Sequence, residues 1–408
     1  MPRVVLTVIF VLLLDMICQS LVYPALPSLL QSMQGGSKID AARLYGYLAA
    51  SYAVAELLSA PVLGQLSDRY GRKPVLLVST VGASLSFMIA AIAPSIAIMF
   101  IGYALAGLTS AMLVVVNSVV ADSTDKESRA TAFGMVGAAF GIGFVIGPVI
   151  GGLVANLGLR MPFFIASGLM AVAAIVVTLG LTESLSFNNR SVRPIRGVMP
   201  WATLRPLRDY PLVRSLASTQ VLNALAMQIL IGVWVVHASY RYGLTVSQNG
   251  WLLAGFGLIM AMSQLLLVPR VVPRLGNRRS MLIGLAISSI TFVGYGLAPS
   301  LGMLGLFMVF GAIGGIDEPA QQALVTEAVA EDQQGAVQGS LATLGSLMGI
   351  VGPILGTWLF QLGIPGMPGL PFLLSAALVA VGWVLAYRTL RTIPSNASPT
   401  GDAPTLRS

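Results

Sequence analysis

The chain has 408 residues, 56% hydrophobic and only 9% charged, with a net charge of +8. A soluble protein of this length carries roughly 25% charged residues, so a water-soluble fold is excluded. Apolar stretches of about 20 residues are too long and too even for the alternating strands of a membrane barrel. The basic residues sit at the ends of these stretches rather than on one recognition face, which argues against a nucleic-acid partner.

The pattern predicts an all-α polytopic membrane protein with 12 transmembrane helices, near 4–26, 44–66, 75–93, 96–121, 131–155, 161–182, 213–238, 248–271, 280–298, 301–327, 335–360 and 370–388. The first stretch is of spanning length and lacks a small-residue cleavage site, so it reads as a span. It contains "LLLDMICQSLVYPALP" (12–27), with Asp15, Gln19 and the lone cysteine, Cys18. One cysteine excludes an internal disulfide and any multi-cysteine metal site. Span two carries Glu56 and runs into "GQLSDRYGRKPVLL" (64–77), where Gly64, Asp68, Arg69, Gly71, Arg72 and Lys73 concentrate charge between two apolar stretches. Gly64 and Gly71 permit close approach and a tight turn. Pro94-Ser95 marks a hairpin, and span four brings Asn117 and, at its end, Asp122. In span five, Gly143, Gly147 and Gly151 recur every fourth residue, a flat stripe for close helix contact, and Pro148 bends the helix. From 183 to 212 a segment rich in Pro, Arg, Ser and Asn replaces the apolar pattern. Span seven carries Asn223, Gln228 and, at its outer end, His237, expected to be interfacial; span ten carries Asp317, Glu318, Gln321 and Gln322.

Of the 23 Lys and Arg residues, only Lys38, Arg43, Arg160 and Arg241 fall on one side of this arrangement. Basic residues stay cytoplasmic, so both termini and the 183–212 linker are expected inside. The halves match at a constant offset of 205 residues: Arg69 with Arg274, Gly71 with Gly276, Asn117 with Gln322, Asp122 with Glu327 and Gly147-Pro148 with Gly352-Pro353. Transporters are commonly built from such repeats, with the substrate near mid-membrane at the repeat interface. The expected organisation is a six-helix bundle over 1–182, a cytoplasmic linker over 183–212, a second, pseudo-symmetric six-helix bundle over 213–391 and a disordered tail over 392–408.

Asp15 and Glu56 each lie roughly 18 Å along their helices from the cytoplasmic end, and Asp317 about 15 Å, all near the bilayer midplane. An ionised acid there costs several kcal/mol unless paired, and no Lys or Arg lies at that depth. Asp15, Glu56, Asp317 and Glu318 are therefore candidates for proton exchange as water reaches them from alternate sides. Adjacent helical residues diverge by about 100°, so one of Asp317 and Glu318 is expected to face a cavity. No phosphate-binding glycine loop, metalloprotease motif or nucleophile elbow appears, which argues against ATP as the energy source and against an enzyme. No metal site and no cofactor are expected.

"GQLSDRYGRKPVLL" is similar, nearly position for position, to the loop signature of the major facilitator superfamily. "GIGFVIGPVIGG" (141–152) resembles the Gly-Pro signature of its drug:proton antiporters, and "LLLDMICQSLVYPALP" resembles span one of their twelve-span group. "GASLSFMIAA", "PFFIAS" and "QQGAVQGSL" resemble the tetracycline/proton antiporter branch. The resemblance implies that spans one, four, seven and ten line a central cavity, which selects Gln19, Asn117, Asn223, Gln228, Gln321 and Gln322 as polar anchors. Trp234, Phe256 and Phe310 are candidate walls. It further implies that Asp68 sits against the start of span eleven near Gln334-Gly335 and that Arg72 reaches Asp122, both contacts existing only while the cytoplasmic side is closed. The stretch would then act as a latch. Departures are Tyr103, where most drug antiporters carry arginine, and Ser86, Ser288 and Met260, where the tetracycline branch carries two acids and a histidine.

The expected function is proton-coupled export of amphiphilic, drug-like small molecules by a monomer in the cell inner membrane, powered by the proton gradient. Alternatives are a metabolite exporter or facilitator of the same fold, for a siderophore or sugar-like compound, and a non-transporting membrane receptor or scaffold.

Overall fold

A computed structural model describes residues 1–186, 190, 204–207, 210–330 and 333–391. The tail expected over 392–408 and most of the linker expected over 183–212 lie outside the described residues. Among the described residues there is no strand, and twelve helical segments are long and apolar enough to cross a membrane. In chain order the helices are α1 Arg3–Val22, α2 Leu26–Gln34, α3 Lys38–Tyr70, α4 Arg72–Ile92, α5 Ile96–Leu108, α6 Met112–Ser123, α7 Lys126–Val154, α8 Met161–Gly180, α9 Pro211–Arg241, α10 Val246–Met262, α11 Val268–Leu275, α12 Asn277–Leu297, α13 Leu301–Gly314, α14 Asp317–Glu327, α15 Gln334–Gly363 and α16 Leu370–Arg391. Span four is α5 with α6, span eight is α10 with α11 and span ten is α13 with α14. Both ends of the described chain lie on one face, the terminal face.

The first six spans bury one apolar cluster, from Val5 to Leu181. The last six bury another, from Leu207 to Leu390, joined by Ala42 of span two. The repeat extends to how helices end. A helix terminus leaves carbonyls without partners. The Arg160 guanidinium donates to Ala91 O and Ala93 O, each 2.7 Å away, at the end of α4. Arg241 Nε and Tyr242 OH donate to Ala298 O, at 3.0 and 2.9 Å, at the end of α12. Two of the few cations away from the terminal face are thus helix caps.

Spans four and ten are both broken. Thr109 and Ala111 leave helical geometry, as does Gly315. The repeat offset maps Thr109–Ala111 onto Gly314–Ile316, so the breaks are equivalent. Thr109 Oγ1 donates to Leu105 O at 2.9 Å, a back-bond that competes with the helix ladder. In span ten, Gly314-Gly315 supply the freedom.

Contacts between the two halves lie away from the terminal face. Gln361 Nε2 donates to Ile39 O at 3.0 Å. A Cβ on Gly46 would lie 2.9 Å from Pro353 O, and one on Gly250 would overlap Pro148 O. These contacts pair a glycine of span two with the proline of span eleven, and a glycine of span eight with the proline of span five. Toward the terminal face the same helices separate: a Cβ on Gly134, Gly137, Gly141, Gly335, Gly339 or Gly345 would meet nothing within 4 Å. The halves are closed on the far side and apart on the terminal side.

His237 is corrected by the structure. It is 1% exposed, not interfacial. Its Nδ1 lies 3.1 Å from Pro368 O, and its ring packs edge-on against Phe360 and Phe372.

Candidate functional site

A cavity of about 640 Å³ lies among spans one to four, with spans seven and eleven completing its wall. Asp15, 5% exposed, lines it, and Gln19 Nε2 donates to Asp15 Oδ2 at 2.8 Å. The two residues are four apart on α1 and so share a face. Glu56 reaches the cavity from span two. Its Oε1 accepts from Ser110 Oγ at 2.9 Å and from Tyr52 OH at 3.4 Å. Ser110 lies in the break of span four, so the interrupted helix frees a hydroxyl to hold the carboxylate.

Tyr23, Tyr45, Tyr52 and Tyr103 also line the cavity. Tyr23 OH donates to Ile231 O of span seven, tying the halves together at the cavity wall. Among the described residues no Lys, Arg or His lines the space. The arrangement is concave and aromatic, with two carboxylates, amides from Gln19 and Gln228 and hydroxyls from Ser86, Ser110 and Ser346. Broad apolar walls with a few polar groups are the make-up of a small-molecule pocket.

The expected anchors divide. Gln19 and Gln228 line the cavity, and Asn117, Asn223, Gln321 and Gln322 do not. Asn223 Nδ2 instead donates to Asp317 Oδ2 at 3.3 Å, and Gln321 Nε2 to Leu216 O at 2.9 Å, both within the last six spans. Neither Asp317 nor Glu318 lines the cavity. Asp317 is 4% exposed and packs where Gly284 of span nine leaves room for it, whereas Glu318 is exposed. Trp234 is buried against Phe256, Tyr295 and Phe372, and Phe310 is 43% exposed, so the expected aromatic walls give way to tyrosines. A signal for these was present: Tyr45, Tyr52 and Glu56 are spaced seven and four apart, one face of span two.

The span-five stripe lies against span one. A Cβ on Gly143 would meet Met16 and Ile17, one on Gly147 would overlap Ser20 Oγ, and one on Gly151 would overlap Leu21 O. Ser20 Oγ donates to Gly143 O at 2.9 Å. Asp15 and Gln19 are thereby carried on a helix locked backbone-to-backbone to span five, which itself meets span eight through Pro148.

The sequence profile of the Major Facilitator Superfamily matches residues 8–219 and 216–407. The chain belongs to the major facilitator superfamily. It is a multi-pass membrane transporter of that family. It is similar to the tetracycline resistance protein, class C, of Escherichia coli, 35% identical over 90% of this chain and 92% of that one. It is also similar to multidrug resistance protein 2 of Bacillus subtilis (strain 168), 30% identical over 89% of each. Among solved structures, a bacterial homolog of the human lysosomal transporter Spinster, inward-facing and occupied, shares the fold with a TM-score of 0.78 at 17% identity, over 96% of this chain and 97% of that one.

One contact of the superfamily's loop signature differs from expectation. Arg72 Nε donates to Asp122 Oδ2 at 3.0 Å, and Arg72 Nη1 to Asp68 Oδ1 at 2.5 Å and to Ser67 Oγ at 3.2 Å. All four residues belong to the first six spans, and the cluster is formed while the halves are apart at this face. The Arg72–Asp122 contact therefore does not require closure. Asp68 does not meet the start of span eleven: it pairs with Arg72, Gln334 Nε2 donates to Thr326 O at 3.4 Å, and a Cβ on Gly335 would meet nothing within 4 Å. Arg69 lies over the ring of its neighbour Tyr70 at 5.5 Å, and a Cβ on Gly64 would meet only Val114, at 3.9 Å.

Gly71 adopts φ 110°, and a Cβ there would overlap the Glu183 carboxylate. Glu183 accepts from Arg72 N at 2.8 Å and Lys73 N at 3.2 Å, capping the start of α4 from the end of span six. This residue escaped sequence reasoning because its partner lies more than a hundred positions away. Glu183→Ala is expected to lower stability by about 0.5–2 kcal/mol, the worth of an N-terminal cap. A thermal denaturation series on the purified protein checks this, and an unchanged midpoint would contradict it.

Proposed function

We propose that this transporter exports amphiphilic, drug-like molecules in exchange for protons, a tetracycline-type efflux, by alternating access. The observation that carries the reading is the pair of carboxylates, Asp15 and Glu56, in a tyrosine-lined cavity that no cation among the described residues lines. The names of the tetracycline and multidrug resistance relatives support a drug-like substrate over a metabolite. The two halves rock as units, the first over 1–182 and the second over 213–391. Both termini are cytoplasmic in an inner membrane, and the terminal face is the cytoplasmic one, because Lys and Arg concentrate there. The transporter works as a monomer without a cofactor, on the proton gradient alone.

In the cycle, Asp15 and Glu56 take up protons while open to the outside. The carrier turns to the inward-open form, and substrate binding between the tyrosines displaces the protons to the cytoplasm. Each charge moved inward supplies about 2.3 kcal/mol per 100 mV of membrane potential. Asp317, buried beside Asn223, serves as a third proton site outside the substrate cavity, and the exposed Glu318 contributes little. Asp68 and Arg72 brace the loop in this inward-open form, and Asp68 is freed to meet span eleven on closure.

A flux screen in everted vesicles with tetracycline, a phenicol, a quinolone and a cationic dye tests the reading. At least one compound should drive proton movement, and proton-silent uptake of all four would overturn it. Asp317→Asn is expected to leave substrate affinity within about twofold, since the residue is outside the cavity, while active export falls. Equal loss of affinity and export would place Asp317 in substrate binding instead.

A further inference from the structure

We propose that the terminal face of spans nine and twelve holds the phosphate of an anionic phospholipid headgroup. Arg278 and Arg279, in the first turn of α12, and Arg391, the last residue of α16, line one pocket of about 180 Å³ with Tyr387, Leu282 and Leu390. The two helices come from distant parts of the chain and are fixed against each other. Trp383 Nε1 donates to Leu282 O at 2.9 Å, and the Trp383 and Tyr387 rings stack with centroids 5.4 Å apart. The pocket is thus part of a packed helix pair rather than a chance meeting of side chains.

Its chemistry is two-sided. Guanidinium forks match phosphate oxygens in a planar, bidentate manner. Leu282, Leu390 and the Tyr387 ring supply an apolar floor suited to the glycerol and first acyl carbons. Among the described residues no carboxylate forms an ion pair with Arg279 or Arg391. Topology asks only for positive charge on this face, and Arg270, Arg274 and Arg388 provide that without lining the pocket. Basic pockets between spanning helices on the cytoplasmic side recognise anionic headgroups. A free phosphate ion would use the arginines but leave the apolar floor unfilled, whereas a lipid uses both.

The test uses the full chain, purified in detergent and titrated with phosphatidylglycerol carrying brominated acyl chains, with the matched phosphatidylcholine, and with inorganic phosphate. Quenching of Trp383 is the readout, with Trp383→Phe as its control. Phosphatidylglycerol is expected to bind in preference to phosphatidylcholine. The pair Arg279→Ala and Arg391→Ala should weaken it about tenfold or more, and Arg274→Ala with Arg388→Ala should change it less than about twofold. Equal loss in both pairs, or no preference for the anionic lipid, would overturn the proposal. Displacement of the lipid by millimolar phosphate would assign the site to a free anion and overturn it as well. Should the alanine pair not purify folded, Arg279→Lys with Arg391→Lys replaces it. That pair keeps the charge and loses the fork, so binding should weaken by about threefold, and unchanged binding would count against the pocket.

Discussion

Asp15→Asn is expected to weaken proton-driven export about tenfold or more while leaving substrate exchange across the membrane intact. The amide is nearly the same size as the carboxyl and can still pair with Gln19, which lies 2.8 Å away. It cannot take up or release a proton. The cavity therefore keeps its shape and its tyrosines, and a bound compound can still cross when the carrier turns. What is lost is the link between that turn and the proton gradient. With about 2.3 kcal/mol per charge per 100 mV no longer available, accumulation should fall by tenfold or more at a potential of about 100 mV. Glu56→Gln should give a smaller loss, because Ser110 and Tyr52 still hold the amide oxygen. Counterflow of preloaded substrate separates the two effects. Normal counterflow with accumulation reduced about tenfold or more is the expected result, and normal accumulation would remove Asp15 from the coupling.

Gly250→Leu is expected to shift the carrier strongly away from the form described here. A Cβ at Gly250 would already overlap Pro148 O, a backbone atom that cannot turn aside. A leucine there must push spans five and eight apart on the side where the halves now meet. Overpacking of this kind costs about 1–3 kcal/mol, and the cost falls only on the conformation closed at that face. A difference of 3 kcal/mol corresponds to about a 150-fold change in the balance of the two forms. Gly46→Leu should act likewise against Pro353 and Thr357, because Pro353 is the repeat partner of Pro148 and Gly46 packs on it from the other half. Gly147→Leu differs: its neighbours lie in span one of the same half, so it should reduce stability in both forms. Spin-label distances across the terminal face separate these outcomes. Gly250→Leu should shorten them and Gly147→Leu should not. Unchanged distances in Gly250→Leu would show that this contact does not set the conformation.

Hydropathy located the twelve spans within a few residues of the helices because burial in lipid depends on composition alone. Pro94-Ser95 and Pro299-Ser300 fall in the turns joining spans three to four and nine to ten. The breaks in spans four and ten were not legible, since Thr109–Ala111 and Gly314–Ile316 interrupt the helix without interrupting the apolar run. Polarity also failed to separate a cavity from a bundle interior. Asn223 and Gln321 have the composition of ligand anchors, yet one holds Asp317 and the other a backbone carbonyl. Tyr23, Tyr45 and Tyr52 do not stand out by hydropathy, because a tyrosine in a span packs in a bundle as readily as it lines a cavity. The loop signature is legible as a charged motif, but the Glu183 cap and the Asp68–Arg72–Asp122 cluster depend on which helix ends meet in space.

Proton release on substrate binding is the most direct test that Asp15 and Glu56 exchange protons for substrate. The purified protein, in detergent and lightly buffered, is mixed with a transported compound while a pH dye is followed. Release of protons is predicted for the native chain, reduced release for Asp15→Asn and none for Asp15→Asn with Glu56→Gln. Undiminished release from the double variant would contradict the exchange at these two carboxylates.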